Sequence, residues 1–70
     1  MAKVLFYRVT AGRTIHLERA GMAEDPNILS VLNSNSVSET DSTVFLNNKK
    51  TKDLKQELKK NDLLFVFIND

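Results

Sequence analysis

The chain has 70 residues, of which 41% are hydrophobic and 27% charged, and its formal net charge is +1. This length predicts one domain spanning residues 1–70 with a small core, and the near-neutral charge gives no support for a nucleic-acid partner. Because the chain has no cysteine and one histidine, it offers no disulfide framework, no thiolate nucleophile and no Cys/His zinc site.

The first two predicted elements are strands that form a hairpin. Residues 3–10 are rich in β-branched and aromatic side chains, which are typical of strands. Ala11-Gly12-Arg13 is predicted to be the turn, and the next five residues alternate polar and apolar, so that Ile15 and Leu17 face one side of the sheet. The short connection favours an antiparallel hairpin, whose second strand is predicted to end at Gly21.

A short helix is predicted next. Asp25 and Pro26 give a helix-start signal, with aspartate as the N-cap and proline at the first helical position. Apolar residues then recur at the spacing of one helix face as far as Leu32. The helix is expected to end by Asn33, because asparagine and serine side chains compete with the backbone for hydrogen bonds. Residues 34–42 are predicted to be a loop.

Three strands are predicted in the last 28 residues, with one turn segment between them. A strand at 43–46 leads through an asparagine pair to 49–52, a predicted edge strand whose lysines discourage further pairing. The segment 53–60 is predicted to form one helical or 3₁₀ turn with two buried leucines. The last strand, 63–68, is apolar on both faces, as is typical of a strand inside a sheet, and its expected neighbour is the strand at 4–7.

This order of elements resembles the β-grasp fold. The hairpin at 5–18 is similar to the opening hairpin of ubiquitin, through the basic Arg8, the run Gly12-Arg13-Thr14-Ile15 and the pair Leu17-Glu18. Residues 44–67 resemble the sulfur-carrier branch, with a strand ending in Asn, a leucine-bearing turn and an Asn-Asp turn into an apolar strand. That branch contains the small subunit of molybdopterin synthase and the sulfur carrier of thiamine biosynthesis. The resemblance implies an α+β, β-grasp (ubiquitin-like) fold, a mixed sheet of four to five strands packed on one short helix.

The C-terminus departs from the sulfur-carrier pattern. Those carriers end in Gly-Gly, whose terminal carboxylate is adenylated and converted to a thiocarboxylate or conjugated, whereas this chain ends Ile68-Asn69-Asp70. Asparagine and aspartate side chains do not fit the narrow tunnel that activating enzymes close around two glycines. Carrier chemistry is therefore disfavoured and no catalytic residue carries over. A sulfur carrier or modifier with an atypical or processed tail remains an alternative.

One face of a β-grasp sheet is open, and the sequence predicts an apolar patch there. We expect Leu5, Tyr7, Ile15, Leu17, Phe65 and Phe67 to face the helix, so that the other side chains of the central strands form the patch. The predicted partner-binding residues are Val4, Phe6, Arg8, Leu64, Val66 and Ile68. The apolar members supply desolvation and Arg8 orients the partner at the rim. On this hypothesis, Phe6→Asp or Val66→Asp leaves a folded monomer that no longer binds. Cover by the loop at 34–42 is the alternative.

Other kinds of site have weaker support. His16 has no cysteine and no positioned acid near it in sequence, so neither a metal site nor a catalytic triad is predicted. The lysine-rich segment 49–60 contains interleaved acids and no aromatic residue, which favours a solvated edge over a phosphate-binding stripe. Thr10-Ala11-Gly12-Arg13-Thr14-Ile15 with the later Asn61-Asp62-Leu63 resembles swapped-hairpin transition-state regulators, which makes a small nucleic-acid-binding protein a further alternative.

The sequence thus predicts a small non-catalytic interaction module. Its expected partner is another protein or a second copy of the chain, bound through the open sheet face. We expect no cofactor, metal or small-molecule substrate. No apolar run approaches the ~20 residues that span a bilayer and no signal-peptide segment is present, so we expect a cytoplasmic location and no membrane contact.

Overall fold

A computed structural model describes residues 1–10 and 14–69. The predicted turn at Ala11-Gly12-Arg13 lies outside the described residues. The described part forms five strands, one α-helix and one 3₁₀ turn. Their bounds are β1 Ala2–Thr10, β2 Thr14–Ala23, α1 Ile28–Ser34, a 3₁₀ turn Glu39–Asp41, β3 Ser42–Leu46, β4 Lys49–Thr51 and β5 Leu63–Asn69. No helix among these residues is long and apolar enough to cross a membrane.

The five strands form one mixed sheet in the order β2-β1-β5-β3-β4. β5 lies at the centre, where it pairs in parallel with β1 and antiparallel with β3. β1 and β2 form the antiparallel hairpin, and β3 and β4 form a second antiparallel pair. The α+β class, the mixed sheet with one short helix, the central last strand and the lysine-rich edge strand are confirmed, and the sheet is compatible with a β-grasp fold.

The helix begins two residues later than the sequence predicts. Asn27 is the N-cap, and its Oδ1 accepts a hydrogen bond of 2.9 Å from the backbone N–H of Ser30. Asp25, the predicted cap, instead accepts from the hydroxyl of Ser34. Residues before the helix stay extended because the Pro26 carbonyl accepts from the N–H of Leu58 at 3.0 Å. A long-range backbone contact thus overrides a local start signal.

The segment between β4 and β5 supports the first turn of α1. The carbonyls of Leu54 and Gln56 accept hydrogen bonds from the N–H groups of Leu29 and Ile28, at 2.7 and 3.3 Å. These are donors that a helix start leaves without intrahelical partners. Leu54 and Leu58 are partly buried against the core, but the segment contains an ordinary turn at Leu54 and Lys55 instead of the predicted helical or 3₁₀ turn.

The buried core lies between α1 and one face of the sheet. It consists of apolar side chains from the helix, three strands and the loop after the helix: Ala2, Val4, Phe6, Ile28, Val31, Leu32, Val37, Val44, Leu46, Leu64 and Val66. Val37 shows that the polar loop predicted at 34–42 contributes one anchor to this core.

This core reverses the predicted orientation of the sheet. Val4, Phe6, Leu64 and Val66 were expected on the open face, yet they are between 0% and 5% exposed and contact the helix side. The prediction was wrong because it took Ile15 and Leu17 of β2 as markers of the inward face. In the structure these two side chains face away from the helix, and neighbouring strands follow the same alternation.

A β-bulge interrupts the pairing of β2 with β1 beyond Leu17. The register with β1 shifts between Phe6 and Tyr7, so that Phe6 lies opposite Arg19 and Tyr7 opposite Leu17. Glu18 is the extra residue, and after it the face of each side chain changes relative to a regular strand. β2 also continues past Gly21 to Ala23, so the predicted strand end at Gly21 was wrong.

Candidate protein-interaction face

The side of the sheet opposite α1 is the candidate site, and we call it the open face. Its members follow from strand alternation and register. They are Lys3, Leu5, Tyr7, Val9, Ile15, Leu17, Ala20, Met22, Thr43, Phe45, Lys50, Leu63, Phe65, Phe67 and Asn69. None of them is fully buried. The open face is therefore mostly apolar and reachable by solvent, which matches the prediction of an open apolar face although its residues are different.

An aromatic cluster occupies the centre of the open face. The rings of Tyr7 and Phe67 are stacked, with centroids 5.1 Å apart and planes 17° apart. Phe45 meets Phe67 edge-to-face at 5.5 Å, and Phe65 lies tilted against Tyr7 at 5.9 Å. All three centroid separations lie within the range over which aromatic pairs attract each other. All four rings are half-buried, so the cluster is preorganised and still exposes apolar surface.

The strand β2 extends this apolar surface to one edge. Ile15, Leu17 and Met22 are 58%, 52% and 59% exposed, and they lie on the same face as the aromatic cluster. Lys3 and Lys50 are the charged members of the open face among the described strand residues, and both are exposed. The open face thus combines a broad apolar surface with positive charge and no strand carboxylate.

The two remaining predicted site residues are also absent from the open face. Ile68 is half-buried and packs against the core from the helix side. Arg8 lies opposite His16, and its guanidinium is 3.0 Å from a carboxylate oxygen of Glu18. The ion pair holds the side chain on the helix side of the hairpin. Of the six predicted contact residues, the structure places none on the open face.

Asn47 and Asp62 form a polar clip at the start of β5. Asn47 adopts a positive φ of 51°, its side-chain amide donates to Asp62 at 3.0 Å, and its Oδ1 accepts from the N–H of Leu63 at 2.9 Å. The other oxygen of Asp62 accepts from the N–H of Lys59 at 2.7 Å. The clip joins the end of β3 to the start of β5, so its role is to set the position of the central strand.

The clip makes the free energy of unfolding depend on pH in the acidic range. The pKa of Asp62 lies below its ordinary value of 3.8, because the Asn47 amide and the Lys59 N–H donate to the carboxylate. The folded carboxylate therefore binds a proton less readily than the unfolded one. The contribution of this carboxylate to the free energy of unfolding is complete above pH 3.8 and is lost as pH falls through its lower pKa in the folded protein.

We expect Asp62→Asn to weaken this dependence. The free energy of unfolding, measured by urea titration at a series of pH values, should fall less steeply below pH 3.8 in the variant than in the wild type. Equal slopes in the two proteins would show that the carboxylate has no such role.

Other chemistry-bearing residues are dispersed. His16 is exposed on the helix side of β2, and the lysines of residues 49–60 are exposed along β4 and the following turn. In residues 1–10 and 14–69, no group of three or more His, Asp or Glu side chains could hold a metal ion. The open face, with its aromatic cluster and exposed aliphatic side chains, is therefore the candidate site.

Comparison of the chain with protein-family models, with curated proteins and with solved structures gives no match. The β-grasp resemblance therefore depends on the sheet order and on the hairpin at 5–18 and residues 44–67.

Sequence reasoning found the aromatic residues but assigned them to the core. Side-chain size gives no corrective signal, because Phe6 is buried on the helix side beside Val66, whereas Phe65 and Phe67 lie on the open face.

Proposed function

We propose that this chain is a small non-catalytic interaction module of ubiquitin-like type, which binds another protein through its open face. The observation that carries the proposal is the half-buried aromatic cluster of Tyr7, Phe45, Phe65 and Phe67 on an uncovered sheet face. Tyrosine and phenylalanine are enriched in the buried cores of protein interfaces, and tyrosine is among the residues that contribute most of the binding energy.

The charges of the open face suggest the chemistry of the partner surface. Lys3 lies opposite Leu63, and Lys50 lies opposite Phe45, so the apolar cluster has positive charge on two sides. A partner with an apolar patch bordered by carboxylates would complement this arrangement, because complementary potentials speed association and set orientation. We place this interaction in the cytoplasm, as the sequence predicts.

The ring geometry favours a protein over a nucleic acid. Bases stack on aromatic faces that are free, whereas Tyr7 and Phe67 already stack on each other. The parallel pairing of β1 and β5 likewise gives no support to a swapped-hairpin nucleic-acid-binding protein. No contact of the described residues favours sulfur-carrier chemistry.

The proposal is tested by charge placed in the aromatic cluster. Phe67→Lys should lower the affinity for captured partner proteins about tenfold or more, because it removes an aromatic anchor and desolvates a charge. His16→Lys is the matched control, since it adds the same charge to an exposed position on the other side of the sheet. Affinity capture from cell extract, quantified for both variants and the wild type, provides the measurement.

Circular dichroism of each variant establishes that it is folded, and Phe45→Lys serves as the second variant if Phe67→Lys unfolds. Capture that is unchanged in a folded cluster variant, or reduced equally in His16→Lys, would refute binding through the open face.

A further inference from the structure

The two edges of the sheet differ in how they are protected. β4 is a short edge strand that contains Lys49 and Lys50, and lysines at an edge discourage pairing with another chain. β2 is a ten-residue edge strand with neither lysine nor proline. Nine of its residues are exposed, and no other strand of the described residues pairs with its outer edge.

The apolar content of β2 is unusual for a free edge. Ile15, Leu17 and Met22 account for three of the four large hydrophobic residues that are strongly exposed in the described chain. All three lie on one face, so the outer edge combines unpaired backbone groups with an apolar stripe. An edge of this kind is a template for a further strand.

We propose that a second copy of this chain occupies the edge, with the two β2 strands pairing antiparallel about a two-fold axis. Such an interface is isologous, so the strand must be complementary to itself. In antiparallel pairs, residues directly opposite each other share a face. In a regular strand, residues separated by an odd number of positions lie on different faces. Two such residues therefore cannot lie opposite each other in a symmetric pair.

The β-bulge at Glu18 removes this restriction. Because it shifts the alternation, Ile15 and Met22 lie on the same face although seven positions separate them. Pairing centred between Glu18 and Arg19 then sets Ile15 opposite Met22 of the second copy, and Leu17 opposite Ala20. The same register sets Glu18 opposite Arg19 on the helix side. All ten residues pair, the exposed apolar residues meet apolar residues, and opposite charges face each other.

Charge argues against the two neighbouring registers. Pairing centred on Glu18 would set two glutamates opposite each other, pairing centred on Arg19 would set two arginines opposite each other, and like charges at directly opposite positions are destabilising. Both registers would also place Leu17 opposite a residue of the other face, Arg19 or Gly21. The register centred on the bulge is therefore the one that suits both the faces and the charges.

The dimer would form one continuous ten-stranded sheet. A two-fold axis perpendicular to the sheet keeps both open faces on the same side, which would present two aromatic clusters to a bivalent partner. That consequence rests on the proposed function, whereas the dimer itself does not.

Sedimentation equilibrium tests the association. We expect the wild type to reach twice its chain mass of 7.9 kDa as concentration rises. Ile15→Lys should raise the dissociation constant about tenfold or more, because the apolar contact of Ile15 with Met22 occurs twice in a two-fold symmetric dimer and the variant loses both. His16→Lys, which alters the same strand on its other face, should change it little. A wild type that stays monomeric, or a dimer that survives Ile15→Lys and is lost in Phe67→Lys, would overturn the proposal.

The natural absence of cysteine allows the register to be tested separately. An equal mixture of Ile15→Cys and Met22→Cys proteins should form a mixed disulfide under mild oxidation in well over the statistical twofold excess over either homodimer, because directly opposite strand residues lie within disulfide reach. Statistical amounts of the three products would overturn the proposed pairing.

Discussion

Val66→Asp is expected to unfold the protein. Val66 is 0% exposed, and its strand neighbours are Phe6 of β1 and Val44 of β3, both also buried. A carboxylate there would have no partner, and burying an unpaired charge costs several kcal/mol. A 70-residue domain has a total stability of about 4 to 10 kcal/mol, so one such change removes most or all of it.

The matched control for this variant is the preceding residue of the same strand. Phe65 faces the open side and is half-buried, so Phe65→Asp places its carboxylate where water reaches it. We expect the Phe65→Asp protein to remain folded with reduced stability, and circular dichroism with urea titration distinguishes the two results. A folded Val66→Asp protein beside an unfolded Phe65→Asp protein would mean that the faces are assigned the wrong way round.

Leu32→Ala is expected to destabilise the protein by about 3 kcal/mol. Leu32 is 0% exposed and lies in the core between α1 and the sheet. Its truncation removes buried methyl groups and leaves a cavity, a change that typically costs 2 to 5 kcal/mol, or roughly half of the stability of a domain this small. The backbone contacts of Leu32, whose carbonyl accepts from the N–H of Val37 at 2.9 Å, need no side chain and should persist.

Leu29→Ala is the control on the same helix. Leu29 is half-buried, so the same truncation removes less buried surface and is expected to cost about 1 kcal/mol. Urea denaturation of both variants gives the comparison. Equal losses in the two proteins would show that α1 does not pack on the sheet through the face that contains Leu32.

Local sequence signals predicted the elements of this fold well. The hairpin, the central last strand and the lysine-rich edge strand each depend on patterns within a few residues, and the structure confirms all three. The Asn-Asp turn before β5 was also predicted, and Asn61 adopts the positive φ of 71° that asparagine tolerates in turns.

Features that depend on distant contacts were beyond those signals. The start of α1 is set by the extended pairing of residues 26–27 with residues 57–58, which displaces the cap from Asp25 to Asn27. The β-bulge at Glu18 is likewise visible only from the register with β1. Each feature results from hydrogen bonds between segments separated in sequence, about which local propensity contains no information.

By itself, the sequence determined that the chain has more apolar strand surface than one helix of seven residues can cover. It could not determine which face would remain open, because β5 is apolar on both sides and its alternation is satisfied by either orientation. The tertiary structure decided this by burying Val4, Phe6, Leu64 and Val66 beneath the helix. The physical reason is packing between segments far apart in sequence, since Ile28, Val31 and Leu32 of α1 share one core with those four side chains, and the rings of Phe65 and Phe67 pack on Tyr7 and Phe45 on the open face.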